Sequence, residues 1–275
     1  MSTVPSNVLA DERSRRFHIS LSSGQKFALI TLLNVAGFFL LWEIFAVVSG
    51  IPRLFLPRFS DVLLDVPKMN AEGILVGNLW VSFKNFMIGL IVGLAIGLPL
   101  AYAIGGIKIV DRLLSPYLWA LYSTPRIILV PIIFLWFGIT NDARLVIIII
   151  SVVPSFVVVV MEGVKTTDAS LLRAARSFGA SRWQLFRQVI VPSTIPFIGT
   201  GVRMGMLRGL IGLYVGELFI TASGLGAIIS YASTRFNTAR VFAALLIFVL
   251  FAVASLGVTR YLEARLTLWR ELPSL

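Results

Sequence analysis

The chain has 275 residues with a formal net charge of +11, one His and no Cys; 57% of its residues are hydrophobic and only 13% are charged. With a mean hydropathy of +0.91, it has too few polar residues to cover a water-soluble globule, which excludes an ordinary soluble domain and points to a polytopic membrane protein. The missing Cys and the lone His18 exclude disulfides, thiolate metal sites and His- or Cys-based catalysis, no clustered carboxylates suggest a metal, and a basic excess in so apolar a chain reports orientation in a bilayer rather than nucleic-acid binding.

In chain order, a polar N-terminal tail (1–26) precedes the first apolar run, 27–49. That run is too long for a signal-peptide core and has no convincing cleavage site after it, so it reads as a retained span. A helix needs about 20 apolar residues to cross a bilayer, and five further runs meet the length: 79–104, 117–138, 143–162, 193–220 and 240–262. Unpaired backbone groups are not tolerated in lipid, and no ten-residue alternation suggests a barrel, so the expected fold is an all-α membrane protein with six transmembrane helices. With both termini in the cytoplasm, the inner segments carry 14 of the 24 Lys and Arg and the outer segments six. The positive-inside rule therefore favours an N-in, C-in arrangement, with Arg144 an outer charge at a span edge. The chain then divides into the tail 1–26, a membrane domain 27–262 and a second cytoplasmic tail, 263–275.

Between the first two spans, Pro57 sets a turn, Ser60 is placed to cap, and Val62, Leu63 and Val66 share one helical face. These residues predict a short interfacial helix in the outer segment, with an ordinary partly helical loop as the alternative. Span two reads Gly89-x-x-x-Gly93-x-x-x-Gly97, and span five carries Gly201, Gly205, Gly209, Gly212 and Gly216. Small-residue stripes of this kind let helix backbones approach closely, and a homodimer with contacts along them is the expectation.

The cytoplasmic loop 163–192 interrupts two of the most apolar runs with an amphipathic, Arg-studded stretch. Leu171, Leu172, Ala175 and Phe178 recur at helical spacing, and Gly179 supplies a C-terminal stop. Ser181-x-x-Gln184 is a capping box that restarts a helix whose apolar face holds Trp183, Phe186 and Val189/Ile190, with Arg182 and Arg187 solvated. Pro192 is expected to end or bend it at the membrane surface. Two capped helices with an aromatic knob suit a groove in a partner protein or an anionic lipid surface; the glycine hinge favours the former.

This stretch resembles the cytoplasmic loop of the permease subunits of bacterial ABC importers: Glu-Ala-Ala, three residues, Gly, nine residues, then Ile-x-Leu-Pro. Ala174, Ala175, Gly179 and Pro192 match; Arg173 stands in the Glu position and valines replace Ile and Leu. "FLPRFSDVL", "LVPIIFLWFGI", "GVRMG…YVGELFITASGLG" and "RYLEARLTLWR" resemble the sulfonate, nitrate and taurine branch, covering roughly residues 40–270 in order. The resemblance implies a type I importer permease fold in the bacterial inner membrane, in which Ala174, Ala175, Phe178, Gly179, Ala180, Ser181 and Trp183 couple to an ATPase subunit. It further implies a second permease copy, two ATPase subunits and a periplasmic or lipid-anchored binding protein, with a small solute of anionic type (sulfonate, nitrate, taurine or aromatic carboxylate) as cargo. "TASGLG" (221–226) is similar to the family's periplasmic gate region.

"LSSGQ" at 21–25 looks like an ABC ATPase signature, but the chain has no Gly-Lys pair and hence no phosphate-cradling loop. Ser22 and Gln25 read better as a capping box for the first span. The chain is accordingly expected to be no enzyme and to hold no cofactor, ATP and Mg being bound by the separate ATPase. An ion-gradient-driven secondary transporter is the alternative; its inverted repeats and midplane helix breaks are not detected in the sequence.

Charges within spans cost on the order of 2.5–3.5 kcal/mol each on insertion scales and normally face a cavity or partner. Arg126, Arg203, Arg208 and Glu217 are the candidates for a translocation path. Arg203 and Glu217 lie about 21 Å apart along span five and cannot pair. Arg203 is also placed to snorkel to headgroups, Arg126 to hold a phospholipid headgroup, and Glu43 to pair structurally within the membrane.

Overall fold

A computed structural model of the chain describes residues 23–220 and 222–266. His18, the Ser22–Gln25 box and most of the two tails lie outside the described residues, as does Thr221. Contacts divide the chain into two units, residues 1–51 and 52–275. The first contains α1 (Ser23–Val48), apolar round its whole circumference. Every element described below belongs to the second.

There, α2 (Phe59–Ala71), α3 (Ile74–Gly106), α4 (Lys108–Ser123), α5 (Val130–Phe137), α6 (Asn141–Lys165), α7 (Ala169–Ser177), α8 (Arg182–Leu185), α9 (Val191–Phe219), α10 (Leu225–Thr234) and α11 (Thr238–Leu266) follow one another. Among the described residues, five helices are long and apolar enough to cross a membrane, or six if the bent pair 108–123 and 126–137 counts as one span. The fold is all-α, as the sequence predicts.

At its centre, α6 lies between α3 and α9. Both neighbours present glycine stripes to it, and the fit leaves no room for side chains. A Cβ at Gly93 would stand 2.8 Å from Val152, one at Gly89 2.5 Å from Ile148 Cγ2, and one at Gly97 2.7 Å from Phe156. From the other side, Gly209 would meet Val152 at 2.8 Å and Gly212 the Ser151 Oγ at 2.5 Å. Val152 and Ile148 are fully buried in one cluster with Phe86, Leu90, Met206, Leu210 and Leu213. The expected homodimer contact along these stripes is therefore corrected: both face α6 of the same chain, because close approach within the chain consumes the small-residue surface.

Four further expectations need correction. Span three is not continuous: α4 and the 3-10 turn Arg126–Leu129 with α5 meet at 101°, because Pro125 holds Thr124 in the extended region (φ −72°, ψ 129°). Of the two outcomes expected of Pro192, the end of its helix does not occur. A π-turn over Phe186–Ile190, with the Val191 N–H donating to the Phe186 carbonyl, widens the backbone just before the proline and fuses α8 to α9. In α2, Arg58 rather than Ser60 holds the N-cap, and the buried positions are Val62, Asp65 and Met69 while Leu63 is exposed. Asp65 is buried because Arg240, in the first turn of α11, donates to it at 3.0 Å and grips Glu72 through two nitrogens at 2.7 and 2.9 Å. This clamp ties α2 to α11, and the Arg240 hydrogen bonds hold the Glu72 carboxyl below its usual range. The fourth concerns Arg144, which is buried in the first turn of α6.

Alanine at Gly93 or Gly212 should destabilise the purified protein by about 1–3 kcal/mol through overpacking. Gly205→Ala and Gly216→Ala, whose nearest neighbours stand at 3.3 Å, should cost clearly less. Thermal unfolding of the four variants in detergent checks the order; equal losses at all four positions would contradict the packing described.

Candidate functional site

Three groups of residues carry the chemistry of the second unit. The first is the α7–α8 helix pair. Asp168 starts α7 by accepting the Ser170 N–H at 2.7 Å, and this bond holds its carboxyl below the usual carboxylate range. The helix ends in a paired turn: the Ala180 N–H donates to the Ala175 carbonyl at 3.1 Å and the Gly179 N–H to Arg176 at 2.9 Å. Gly179 sits at φ +79° with open space where a Cβ would be, so conformation rather than crowding selects glycine there. Ser181 and Gln184 then form the expected reciprocal box, at 2.7 and 3.3 Å.

The second helix is anchored from one side only. Leu185 is buried, and Phe186 packs edge-on against Tyr102 of α3, whose hydroxyl bonds to that of Thr194 at 2.6 Å. Trp183 leans on Phe186 but remains 65% exposed, and Phe178 is 92% exposed. Ala174 is exposed, and Ala175 and Ala180 are half-buried. Of the seven residues singled out, Phe178 and Trp183 thus form an apolar projection on a rigid base, with small residues between them.

The second group seals the turn after α9. Glu217 is completely buried, where Ser82 donates to its two oxygens at 2.7 and 2.9 Å and the Gly226 N–H donates at 3.0 Å. The Ser82 hydroxyl accepts the Leu225 N–H at 2.8 Å, and Asn78 accepts that of Gly224 at 2.7 Å. The opening N–H groups of α10 are thereby met one by one, and a carboxylate sits at that helix's positive end. Arg144 does the converse for α9. Only 1% exposed, it donates to the Ile220 and Ser223 carbonyls at 3.3 and 3.0 Å, placing a cation at the helix's negative end. Arg144, in the first turn of α6 and so at the edge of its span, is therefore a buried anchor rather than part of a loop. Gly224 (φ +101°) and Gly226 are fixed by the same knot: a Cβ on Gly224 would run into the Glu217 carboxylate, and one on Gly226 would stand 2.5 Å from Glu217 Cβ.

Sequence reading lists Glu217 with the translocation path, but its carboxylate is spent on this turn. It also misses Arg144, Ser82 and Asn78. Asn78 and Ser82 continue the Gly89–Gly93–Gly97 face toward the start of α3 at helical spacing, which is the signal that locates them.

The third group lies at the break between α4 and α5. Arg126 reaches back to α6, where its Nη2 donates to Ser155 Oγ at 3.3 Å. Arg208 of α9 is half-buried, and its charge acts on that of Arg126. Arg203, also half-buried, points about 140° away from Arg208 round α9. Arg126 and Arg208 are thus near enough to interact electrostatically, whereas Arg203 points elsewhere on α9 and Glu217 is held in the turn.

Residues 86–268 match the family described as "Binding-protein-dependent transport system inner membrane component". A probable ABC transporter permease protein of Brucella abortus (strain 2308) is 30% identical over 242 residues, covering 87% of this chain and 93% of the relative. The taurine transport system permease protein TauC of Escherichia coli (strain K12) is 29% identical over 257 residues (91% and 90%). The putative aliphatic sulfonates transport permease protein SsuC of Bacillus subtilis (strain 168) is 27% identical over 240 residues (87% of each). Among solved structures, an inward-facing form of the MetNI methionine ABC transporter superimposes with a TM-score of 0.59 at 20% identity, over 68% of this chain and 94% of that one.

Replacing Glu217 by Ala strands the Gly226 N–H and the Ser82 hydroxyl in a buried site, at a cost of about 1–3 kcal/mol. Trypsin cleavage at Arg235, in the segment that the knot anchors, should accelerate in Glu217→Ala and less in Glu217→Gln, which keeps one carbonyl acceptor. Unchanged cleavage in both variants would contradict the anchoring role.

Proposed function

The chain belongs to the binding-protein-dependent transport system inner membrane component family, and on that footing we propose how it works as the permease subunit of an ATP-driven importer. Two copies form the pathway, N- and C-termini inside, in a bacterial inner membrane. Two ATPase subunits bind below, a binding protein delivers cargo from the other side, and ATP and Mg are held by the ATPase alone. The cargo is a small solute, of anionic type as in the sulfonate and taurine permeases to which the chain is similar. An ion-gradient mechanism is not favoured, since these relatives are ABC permeases.

The observation that carries the coupling assignment is the pair Phe178 and Trp183, exposed at 92% and 65% on two separately capped helices. Large aromatic side chains held on a rigid base are typical anchors of a protein interface. Ala174 and Gly179 between them let a partner's backbone come close. Because α8 runs without interruption into α9, a push on Trp183 is delivered along a helix of 38 residues into the packed centre. Arg173 stands in place of the family's Glu, and its charge adds to the hydrogen bonds from Ser170 that hold the Asp168 carboxyl below its usual range.

Phe178→Ala and Trp183→Ala remove exposed side chains, so the membrane fold should survive. Each should lower co-purification of the ATPase at least about 30-fold, the equivalent of a hot-spot loss near 2 kcal/mol. ATPase recovery at the parental level in both variants would overturn the assignment.

A further inference from the structure

We propose that Arg126 and Arg208 form a binding site for a small oxyanion, such as a sulfonate, at mid-membrane depth beside the break between α4 and α5. The proposal rests on the permease reading and identifies, within it, the residues that select the cargo's charge.

Depth comes first. Ser155, the partner of Arg126, lies about 15 Å from the C-terminal end of α6 and about 21 Å from its start. Arg208 comes to the same level by register. Gly212 is packed on Ser151, α6 and α9 run in opposite directions, and four residues inward on each helix lead from Gly212 to Arg208 and from Ser151 to Ser155. The Arg126 guanidinium, held at Ser155, and the Arg208 backbone therefore lie at a depth where water is scarce and charge is costly.

Their partners come next. The Ser155 hydroxyl accepts from Arg126 and donates its own proton to the Ser151 carbonyl at 3.2 Å, so it orients Arg126 without neutralising it. The Arg126 Nε is buried and has no hydrogen-bond partner. Arg208 acts on Arg126 as a like charge. Among the described residues, neither Arg forms an ion pair with a carboxylate: Asp65 and Glu72 pair with Arg240, Asp111 pairs with Lys165, and Glu217 bonds to Ser82 and Gly226. Two repelling cations and an orphaned N–H at one place lack a negatively charged acceptor with several oxygens. A sulfonate, nitrate or carboxylate supplies one, since guanidinium forks bind planar or tripodal oxyanions with two parallel hydrogen bonds.

The break supplies the opening. Irregular backbone at membrane depth is stable only where protein or a water-filled cavity covers it, and Thr124–Pro125 is such a segment, immediately before Arg126. A phospholipid phosphate offers the same oxygens, so the test must separate a headgroup from a free anion.

The chain has no Cys, so Thr124→Cys gives a single reporter beside the site. In the assembled permease–ATPase complex, held in phosphatidylcholine nanodiscs at constant ionic strength made up with chloride, labelling by a neutral water-soluble maleimide is followed against methanesulfonate. Its uncharged isostere dimethyl sulfone serves as control. Methanesulfonate should slow labelling saturably and dimethyl sulfone should not. Arg126→Gln and Arg208→Gln should each weaken the protection at least about tenfold, and Ser155→Ala, which only frees Arg126 to reorient, about threefold. Equal protection by both compounds, protection only after phosphatidylglycerol is added to the discs, or no protection or no labelling at all would each overturn the proposal. Retention of the ATPase, scored in the same samples, reports on the permease reading separately, so loss of one does not pass for loss of the other.

Discussion

The absence of side chains where α3 and α9 meet α6 is the constraint on which the rest of this chain depends. In a bilayer, lipid tails compete with apolar side chains on nearly equal terms, so helices associate by fit rather than by escape from water. Two glycine stripes bring three backbones together, with Val152 filling both interfaces. The polar residues of α6 are placed by that sandwich. Arg144 faces the end of α9, Ser151 touches Gly212, and Ser155 holds Arg126. Each polar group acts at a distance that only the glycines make available.

A second consequence concerns how force is passed. The α8–α9 segment is one rod of about 57 Å, with Trp183 at one end, Arg208 in its middle and Glu217 near the other end. Its π-turn accommodates Pro192 without interrupting the helix, which keeps the two ends joined. In the reading advanced above, the exposed aromatics take up motion from the ATPase, and the buried knot of Glu217, Ser82 and Arg144 fixes the far end to α3 and α6. The break at Pro125 turns the chain by 101° immediately before Arg126.

Much of this was legible in the sequence, for physical reasons that differ between elements. Long apolar runs determine span number almost by themselves, and local caps such as Ser181–Gln184 and Gly179 are decided by neighbouring residues, so both were readable. What depends on residues distant in the chain was not. Arg144 reads as an outer charge because its partners, at 220 and 223, are far away in sequence, and Glu217 reads as a pore residue because Ser82 comes from another helix. The stripe on α3 was visible, but its partner was not: nothing local says whether glycines await a second copy or α6. Pro125 and Pro192 show the limits of a single rule. One breaks its span as the residue-before-proline restriction demands; the other is absorbed by a widened turn.

The central claim is that ATP-driven motion reaches the middle of the membrane along α8–α9. Reactivity of Arg208→Cys toward a water-soluble thiol reagent tests it most directly, measured on the full complex free of nucleotide and again trapped with ATP and vanadate. The account predicts labelling in at least one state and a rate that differs at least about threefold between the two, as expected for a buried group gated by a two-state change. Identical rates in both states, in a complex that still hydrolyses ATP, would contradict it.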